Sequence, residues 1–393
     1  MRRIAVITGS RADYGLMEPV LRGIAADPSL DLHLLVTGMH LRPEFASGLE
    51  QVREQRLGIL HEVRMLDDGD SGATMARSIG RGIEGMVTAF EEIGPEIVLL
   101  QGDRGEMLAA AIAAVHSNLP LVHMSGGDVS GSVDDSVRNA ISKLAHFHLT
   151  NCAESTVRLC GMGEARDRIL TVGEPGLDQL LLMDPLARKT LETDLGLPEG
   201  DPFVIATLHP VTDEVEEAPK QMTAMLEALQ EVGLPSVVTY PNSDAGGGAM
   251  REVLESWRGR AFLRIVPNLG SRRYLSLIRY ASAVIGNSSS GLYDTPSLKV
   301  PAVNIGTRQT GRMRAANVVD CGNDRGEIVR AIRHVTADPE FLASLAQCRN
   351  PFGDGQAARR TVAVLKHLRL GSRLVAKWLP GNEPLLAEAV DEL

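Results

Sequence analysis

Ile97-Val98-Leu99-Leu100-Gln101-Gly102-Asp103-Arg104-Gly105-Glu106 decides the fold class of this chain. Its four leading residues are too continuously apolar for a strand with one face in water. They predict a strand of a parallel sheet covered on both faces, a tight loop, and a helix over Glu106–Ser117. On either side, Ile4–Thr8, Leu32–Thr37, Leu119–His123 and Phe147–Thr150 read as further strands. Tyr14–Ala26, Thr74–Ile93 and Asp135–His146 have helical spacing between them. Such βαβα alternation is the signature of a doubly wound α/β domain.

The alternation then restarts. Phe203–Thr207, Ser236–Tyr240, Phe262–Val266, Ala283–Gly286, Ala302–Ile305 and Val318–Val319 form a second set of strands, with helices over Lys220–Val232, Ala249–Arg258, Ser271–Arg279 and Arg325–Ala337. The turn-rich Val172-Gly173-Glu174-Pro175-Gly176 separates the sets. The expectation is a first domain over residues 1–174, a second over 175–355, and an amphipathic tail over 356–393 that packs back on the first. Two parallel-sheet domains in sequence imply an inter-domain cleft, with ligands at the C-terminal ends of strands.

Composition narrows the function classes. With 393 residues, 44% hydrophobic and 23% charged, the chain has enough apolar material for two folded cores. A net charge of -10 argues against a nucleic-acid-binding surface. It leaves room for an anionic small ligand, which needs only local cations and free backbone N–H groups. Cys152, Cys160, Cys321 and Cys348 form no CxxC pair and have no histidine at zinc spacing, so no metal site is expected. They read as thiols in a reducing compartment. The N-terminal Met-Arg-Arg-Ile-Ala-Val-Ile-Thr-Gly reads as a first strand, not a signal peptide, and no stretch reaches the roughly 20 apolar residues of a membrane span. A cytoplasmic protein without membrane contact is expected.

Four strand-to-helix loops hold candidate site residues. In Thr8–Gly15, Arg11 meets a phosphate or pairs with Asp13, and the residues leave both open. In Gln101–Glu106, Asp103 ends a buried strand at the ligand-bearing edge, or caps the following helix. His123-Met124-Ser125-Gly126-Gly127-Asp128, running on through Asp134 and Asp135 to Arg138, is the densest polar cluster of the first half. One of Asp134 and Asp135 is expected to cap the next helix, while His146 and His148 read as satisfied core histidines. In the second half, Gly286-Asn287-Ser288-Ser289-Ser290-Gly291 follows a strand and opens a helix. Its hydroxyls and N–H groups suit a phosphate without a Walker lysine. Asp294 suits ribose hydroxyls, and Arg308 and Arg312, flanking Gln309, suit a diphosphate. His209 and Asn242 follow strands at the same edge.

From Arg11 to about Arg312 these motifs, in order and with matching gaps, resemble the hydrolysing UDP-N-acetylglucosamine 2-epimerases of the sialic-acid-pathway branch. Asp134-Asp135-Ser136-Val137-Arg138, Lys143-Leu144-Ala145-His146, His209-Pro210-Val211-Thr212 and Asn304–Arg308 carry it most closely. The resemblance implies a GT-B fold of two Rossmann-like domains, with nucleotide held mainly by the second and sugar chemistry in the first. It also implies a homodimer or homotetramer and no cofactor. It assigns Ser288, Ser289, Ser290, Arg308, Gln309, Arg312, His209, Asn242 and Asp294 to the UDP-sugar, with Arg11, Arg104, His123 and Ser125 reaching it from the first domain. Asp103 and Asp134 match the family's essential carboxylates, and Asp128, Arg138 and His209 are further catalytic candidates. The implied reaction removes the C2 proton as UDP leaves C1, giving a glycal. Water then adds at C1 and C2 is reprotonated from the other face, releasing an N-acetylmannosamine-type sugar.

Three positions depart from the family pattern: Asp294 replaces the usual Glu, Ser125 the Glu of His-x-Glu-Gly-Gly, and Asn139 the His after Arg138. Serine cannot serve as a carboxylate base, and Asp128 is the nearest substitute. These departures keep two other enzyme readings open, a nucleotide-sugar or nucleotide hydrolase of a specialised pathway and, less favoured, a GT-B glycosyltransferase. A non-catalytic binder fits the retained Asp103 and Asp134 least.

Overall fold

The computed structural model describes residues 1–43, 46–69, 71–130, 134–242 and 244–377. It divides into two compact units, Met1–Gln179 with residues 352–377, and Leu180–Pro351.

The first unit is a seven-stranded parallel sheet built from β1 (Arg2–Thr8), β2 (Leu30–Val36), β3 (Ile59–Glu62), β4 (Ile97–Gln101), β5 (Leu121–Met124), β6 (Phe147–Thr150) and β7 (Ile169–Thr171), in the order β3-β2-β1-β4-β5-β6-β7. Alternate residues of one strand enter different cores, as a pleat with period two requires. Ile4 and Val6 of β1 and Ile97 and Leu99 of β4 join one cluster, while Ala5, Ile7, Val98 and Leu100 join the other. Both faces are therefore dry, and all five β4 residues are buried. The helix Ala357–His367 completes the first cluster through Val364 and Leu365. Leu374 of the short helix Ser372–Val375 packs there too. The rest of the tail, 378–393, lies outside the described residues, as do Gly131, Ser132 and Val133.

The second unit is a six-stranded parallel sheet of β8 (Val204–Thr207), β9 (Ser236–Thr239), β10 (Leu263–Val266), β11 (Ala283–Gly286), β12 (Ala302–Ile305) and β13 (Val318–Cys321), in the order β10-β9-β8-β11-β12-β13. The two doubly wound α/β sheets are those expected from the alternation. The short edge strands β3 and β7 were not expected. Edge strands need no continuous apolar run, and three of the four β3 residues are polar or exposed.

Two helix expectations need correction. The helix after the serine-rich loop is one turn, Ser290–Tyr293, separated by Asp294 from a second turn, Thr295–Leu298. The helix expected over Asp135–His146 spans Asp134–Leu144, because the His146 N–H leaves it to bond the Leu121 carbonyl. The four cysteines are free thiols. Among the described residues no helix is long and apolar enough to cross a membrane.

Candidate active site

In the first unit the strand order reverses between β1 and β4, and in the second between β8 and β11. Loops at such switch points are where doubly wound sheets take ligands. All four reversal strands end in loops singled out above.

Asp103 leaves the end of β4 and accepts from the Arg138 guanidinium and from the Ser130 hydroxyl at 3.4 Å. Arg138, only 6% exposed in its side chain, also donates to Asp135 Oδ1 at 2.6 Å, to the Asp128 carbonyl at 2.8 Å and to Ser130 Oγ. Burial pushes the Asp103 carboxyl above its ordinary range; Arg138 pulls it down and the nearby Asp134 charge pushes it up again. Asp103 is therefore not the helix cap: Arg104 occupies that position without a side-chain cap. Asp134 and Asp135 do not precede their helix but form its first turn, where acidic groups complement the dipole. Asp134 is exposed.

Three further first-unit expectations change. His123 is fully buried, with Nε2 on the Gly102 carbonyl at 2.8 Å and Nδ1 on Ser142 Oγ at 3.0 Å, so it supports the Asp103 loop and presents no edge to a ligand. Ser125, 5% exposed, has a left-handed backbone (φ 62), and its hydroxyl is engaged by Gln101 Nε2 at 2.9 Å and by Asn151. Asp128 points its carboxylate at Ser155 Oγ (2.5 Å) and Asn151 Nδ2 (2.8 Å); Asn151 also donates to Glu174 Oε2 at 2.6 Å. The sequence had offered no sign of Asn151 or Glu174, because their partners lie on other loops.

At β1, Ser10 caps the helix Arg11–Ala26 by accepting from the Asp13 N–H. Asp13 faces Arg104, 3.8 Å away, rather than Arg11, which is exposed. Arg104 Nε and Nη2 both lie 3.3 Å from the Glu106 carboxylate, itself 5% exposed. His146 and His148 are core histidines, as expected, but His148 is satisfied at Nε2 only, its buried Nδ1 having no hydrogen-bond partner among the described residues. The first accepts from the Leu121 N–H at 3.0 Å and the second pairs with Glu164 at 3.0 Å.

The second unit's loops are organised by Asn287. Gly286 has φ 121, and a Cβ there would sit 2.0 Å from the Thr207 carbonyl, so only glycine lets the chain turn against β8. Asn287 then accepts from the His209 N–H at 2.7 Å and donates to the His209 carbonyl at 2.8 Å. Its own carbonyl accepts from Arg308 (3.2 Å) and Gln309 (2.7 Å). Gln309 is 1% exposed and also accepts from Arg312 at 2.8 Å, so it braces the arginine loop instead of facing a ligand.

His209 Nδ1 accepts from the Asn242 N–H, placing the ring proton on Nε2, and burial, then Arg308, lowers its pKa to about 4. A cavity of ≈ 360 Å³ opens between Thr207, His209, Asn242, Asn268, Tyr274 and Ser288. Ser290 donates to Asp294 Oδ2 at 2.5 Å, and burial raises that carboxyl to about 6. Ser289 precedes the one-turn helix without a side-chain cap bond. Arg308 lies near the Arg312 charge, a pairing that favours an anion between them. Among the described residues no group of three or more His, Cys, Asp or Glu is placed to hold a metal.

A family model described as UDP-N-acetylglucosamine 2-epimerase matches residues 22–366. The chain belongs to that family. A hydrolysing UDP-N,N'-diacetylbacillosamine 2-epimerase of Legionella pneumophila is 35% identical over 377 residues, covering 96% of this chain and 99% of that protein. A UDP-N-acetylglucosamine 2-epimerase of Neisseria meningitidis is 32% identical over 343 residues, covering 87% and 90%. Among solved structures, the Neisseria meningitidis UDP-GlcNAc 2-epimerase bound to UDP-GlcNAc superposes with a TM-score of 0.79 at 18% identity, over 93% of this chain and 99% of that one. The Methanocaldococcus jannaschii enzyme in complex with UDP-GlcNAc and UDP gives 0.73 at 17%, over 92% and 99%. At those identities the likeness is one of fold, the GT-B-like pair of α/β units. By its family the chain is an enzyme of the hydrolysing 2-epimerase type.

Proposed function

We propose that this epimerase-family enzyme hydrolyses a UDP-linked 2-acetamido sugar with inversion at C2. A carboxylate removes the C2 proton while the C1–O bond to UDP breaks, leaving a C1=C2 glycal. Water then places its hydroxyl on C1, and a proton returns to C2 from the opposite face. The observation that carries this reading is Asp103, a carboxyl raised by burial at the β4 switch point, beside Asp134 and held by Arg138. A group whose pKa lies above the usual carboxylate range is suited to take up and return a proton. The second unit supports the nucleotide half of the reading. Ser288, His209 and Asn242 line its cavity, and Arg308 and Arg312 offer charge to the leaving diphosphate. Asp294 is assigned to the ribose. Arg11 and Arg104 are assigned to the sugar nucleotide from the first unit.

The two relatives named above differ in the sugar that they are named for, N,N'-diacetylbacillosamine or N-acetylglucosamine. Incubating the protein with each UDP-sugar in D2O therefore tests both reaction and substrate. Release of the 2-epimeric free sugar, deuterated at C2, is the expected outcome, and the faster donor identifies the sugar. A released sugar that retains its C2 proton and configuration overturns epimerisation in favour of plain hydrolysis. Asp103→Asn and Asp134→Asn are each expected to abolish turnover while UDP still binds by calorimetry.

A further inference from the structure

The C-terminal segment reaches back to the helix that carries the first unit's acidic groups. Lys377 Nζ lies 3.0, 2.8 and 2.9 Å from the carbonyls of Ser142, Lys143 and Ala145, at the C-terminal end of the helix Asp134–Leu144. Helix ends leave such carbonyls without intrahelical partners, and an ammonium satisfies several at once while complementing the dipole. Glu164, fully buried, accepts the same ammonium at 2.5 Å together with Lys143 and His148. The approach of the segment is itself fastened: Arg168 donates to the carbonyls of Leu374 (2.8 Å), Arg373 (3.1 Å) and Ala376 (2.9 Å), and to that of His146 at 3.4 Å.

The anchored end is linked to Asp103 by two routes. Along the helix, a rod of roughly 16 Å for 11 residues, Lys377 at one end faces Arg138 and Asp134 toward the other. Across the sheet edge, Ser142 Oγ bonds His123 Nδ1 and His123 Nε2 bonds the Gly102 carbonyl. A carbonyl only accepts, so Nε2 carries the hydrogen and Nδ1 accepts from the serine hydroxyl. Arg138 stands on the helix, Asp103 is tied to it through Arg138 and through the Gly102 carbonyl, and Lys377 satisfies three carbonyls at its far end.

We propose that Lys377 is a positioning residue for the acid–base carboxylates, acting through the helix Asp134–Leu144 and the Ser142–His123–Gly102 chain. This rests on the reading of Asp103 and Asp134 as the proton-transferring groups. The full chain carrying Lys377→Met is expected to lose about tenfold or more in kcat, since small displacements of reacting groups are costly. Its KM should stay within about twofold, because the nucleotide grip is assigned mainly to the other unit. Lys377→Arg, which restores donors to the same carbonyls, is expected to recover most of the rate. Assays run well below the melting temperature of each variant separate positioning from loss of fold. Wild-type kcat in a folded Lys377→Met enzyme overturns the proposal. If that variant does not fold, Ser142→Ala cuts the same chain one link on: a lowered kcat at unchanged KM is expected, and a wild-type kcat overturns it. Asp103→Asn run alongside distinguishes the two failures. An active Asp103→Asn enzyme removes the acid–base reading itself, whereas an inactive one beside a fully active Lys377→Met removes only the role of the lysine.

Discussion

Arg138 holds Asp103 from the helix Asp134–Leu144, across 35 positions of sequence, with a side chain that is only 6% exposed. That guanidinium also gathers Asp135, Ser130 and the Asp128 carbonyl, so one side chain joins two strand-to-helix loops.

Arg138→Met should therefore harm both stability and chemistry. Removing Arg138 leaves the half-buried Asp103 carboxyl without its cation, at a cost of about 1–3 kcal/mol. Because Arg138 lowers the Asp103 pKa against burial, its loss moves that pKa further up. Urea denaturation should show the loss of stability, and the acid limb of the kcat/KM profile should move to higher pH. An unmoved acid limb would separate Asp103 from the rate-governing ionisation.

Asp294 offers a pH test in the second unit. Its folded pKa of about 6 lies above the unfolded value near 3.8, so the folded state holds the extra proton between these values. The stability from this group is complete below pH 4 and is lost as pH rises through 6. Asp294→Asn should accordingly raise the melting temperature at pH 8, by an amount equivalent to at most about 2–3 kcal/mol, and change little at pH 4. If Asp294 also accepts from ribose, the same variant weakens UDP binding at pH 8, read by calorimetry.

Buried imidazoles set the opposite slope. Burial lowers His123 to about 3 and His146 to about 4, while unfolded they titrate near 6.5. Their contribution is complete above pH 6.5 and is lost as pH falls toward 4, with a slope of about 3 kcal/mol per pH unit for the two together. Urea midpoints at pH 7.5, 6 and 5 measure it once the opposing carboxylates are allowed for. His209, also lowered to about 4, should remain a neutral Nε2–H tautomer down to about pH 5 in nitrogen-resolved NMR.

Ser125→Glu tests the departure from the family's glutamate. The position is 5% exposed, and its serine hydroxyl is bonded to Gln101 and Asn151, beside the Asp128 and Glu174 carboxylates that Asn151 bridges. A third carboxylate there is expected to cost about 2 kcal/mol or more through burial without a cation. A wild-type melting temperature with faster turnover would show instead that the loop accommodates an acid.

Much of the candidate site was legible in the sequence because the relevant signals are local. Continuous apolar runs such as Ile97–Gln101 marked strands buried on both faces, and loop residues such as Asp103 and Ser288 then had to stand at the ligand-bearing edge. Where two roles compete for one side chain, local pattern did not choose between them. Asp103 has the spacing of a helix cap, and it took Arg138 to draw it elsewhere. His123 and Gln309 sit inside site motifs, yet their polar atoms are used up by Gly102, Ser142, Asn287 and Arg312.

By itself, then, the sequence determined the two α/β sheets, the loops at their switch points and the family, since strand period, turn chemistry and motif order are all properties of short stretches. Only the tertiary structure decided which polar groups face outward and which brace the others. That choice depends on partners far apart in the chain, 35 residues for Arg138 and Asp103, 78 for Asn287 and His209, and 235 for Lys377 and Ser142. A buried polar atom must take the partner that the fold brings to it, and no local pattern encodes which one that is.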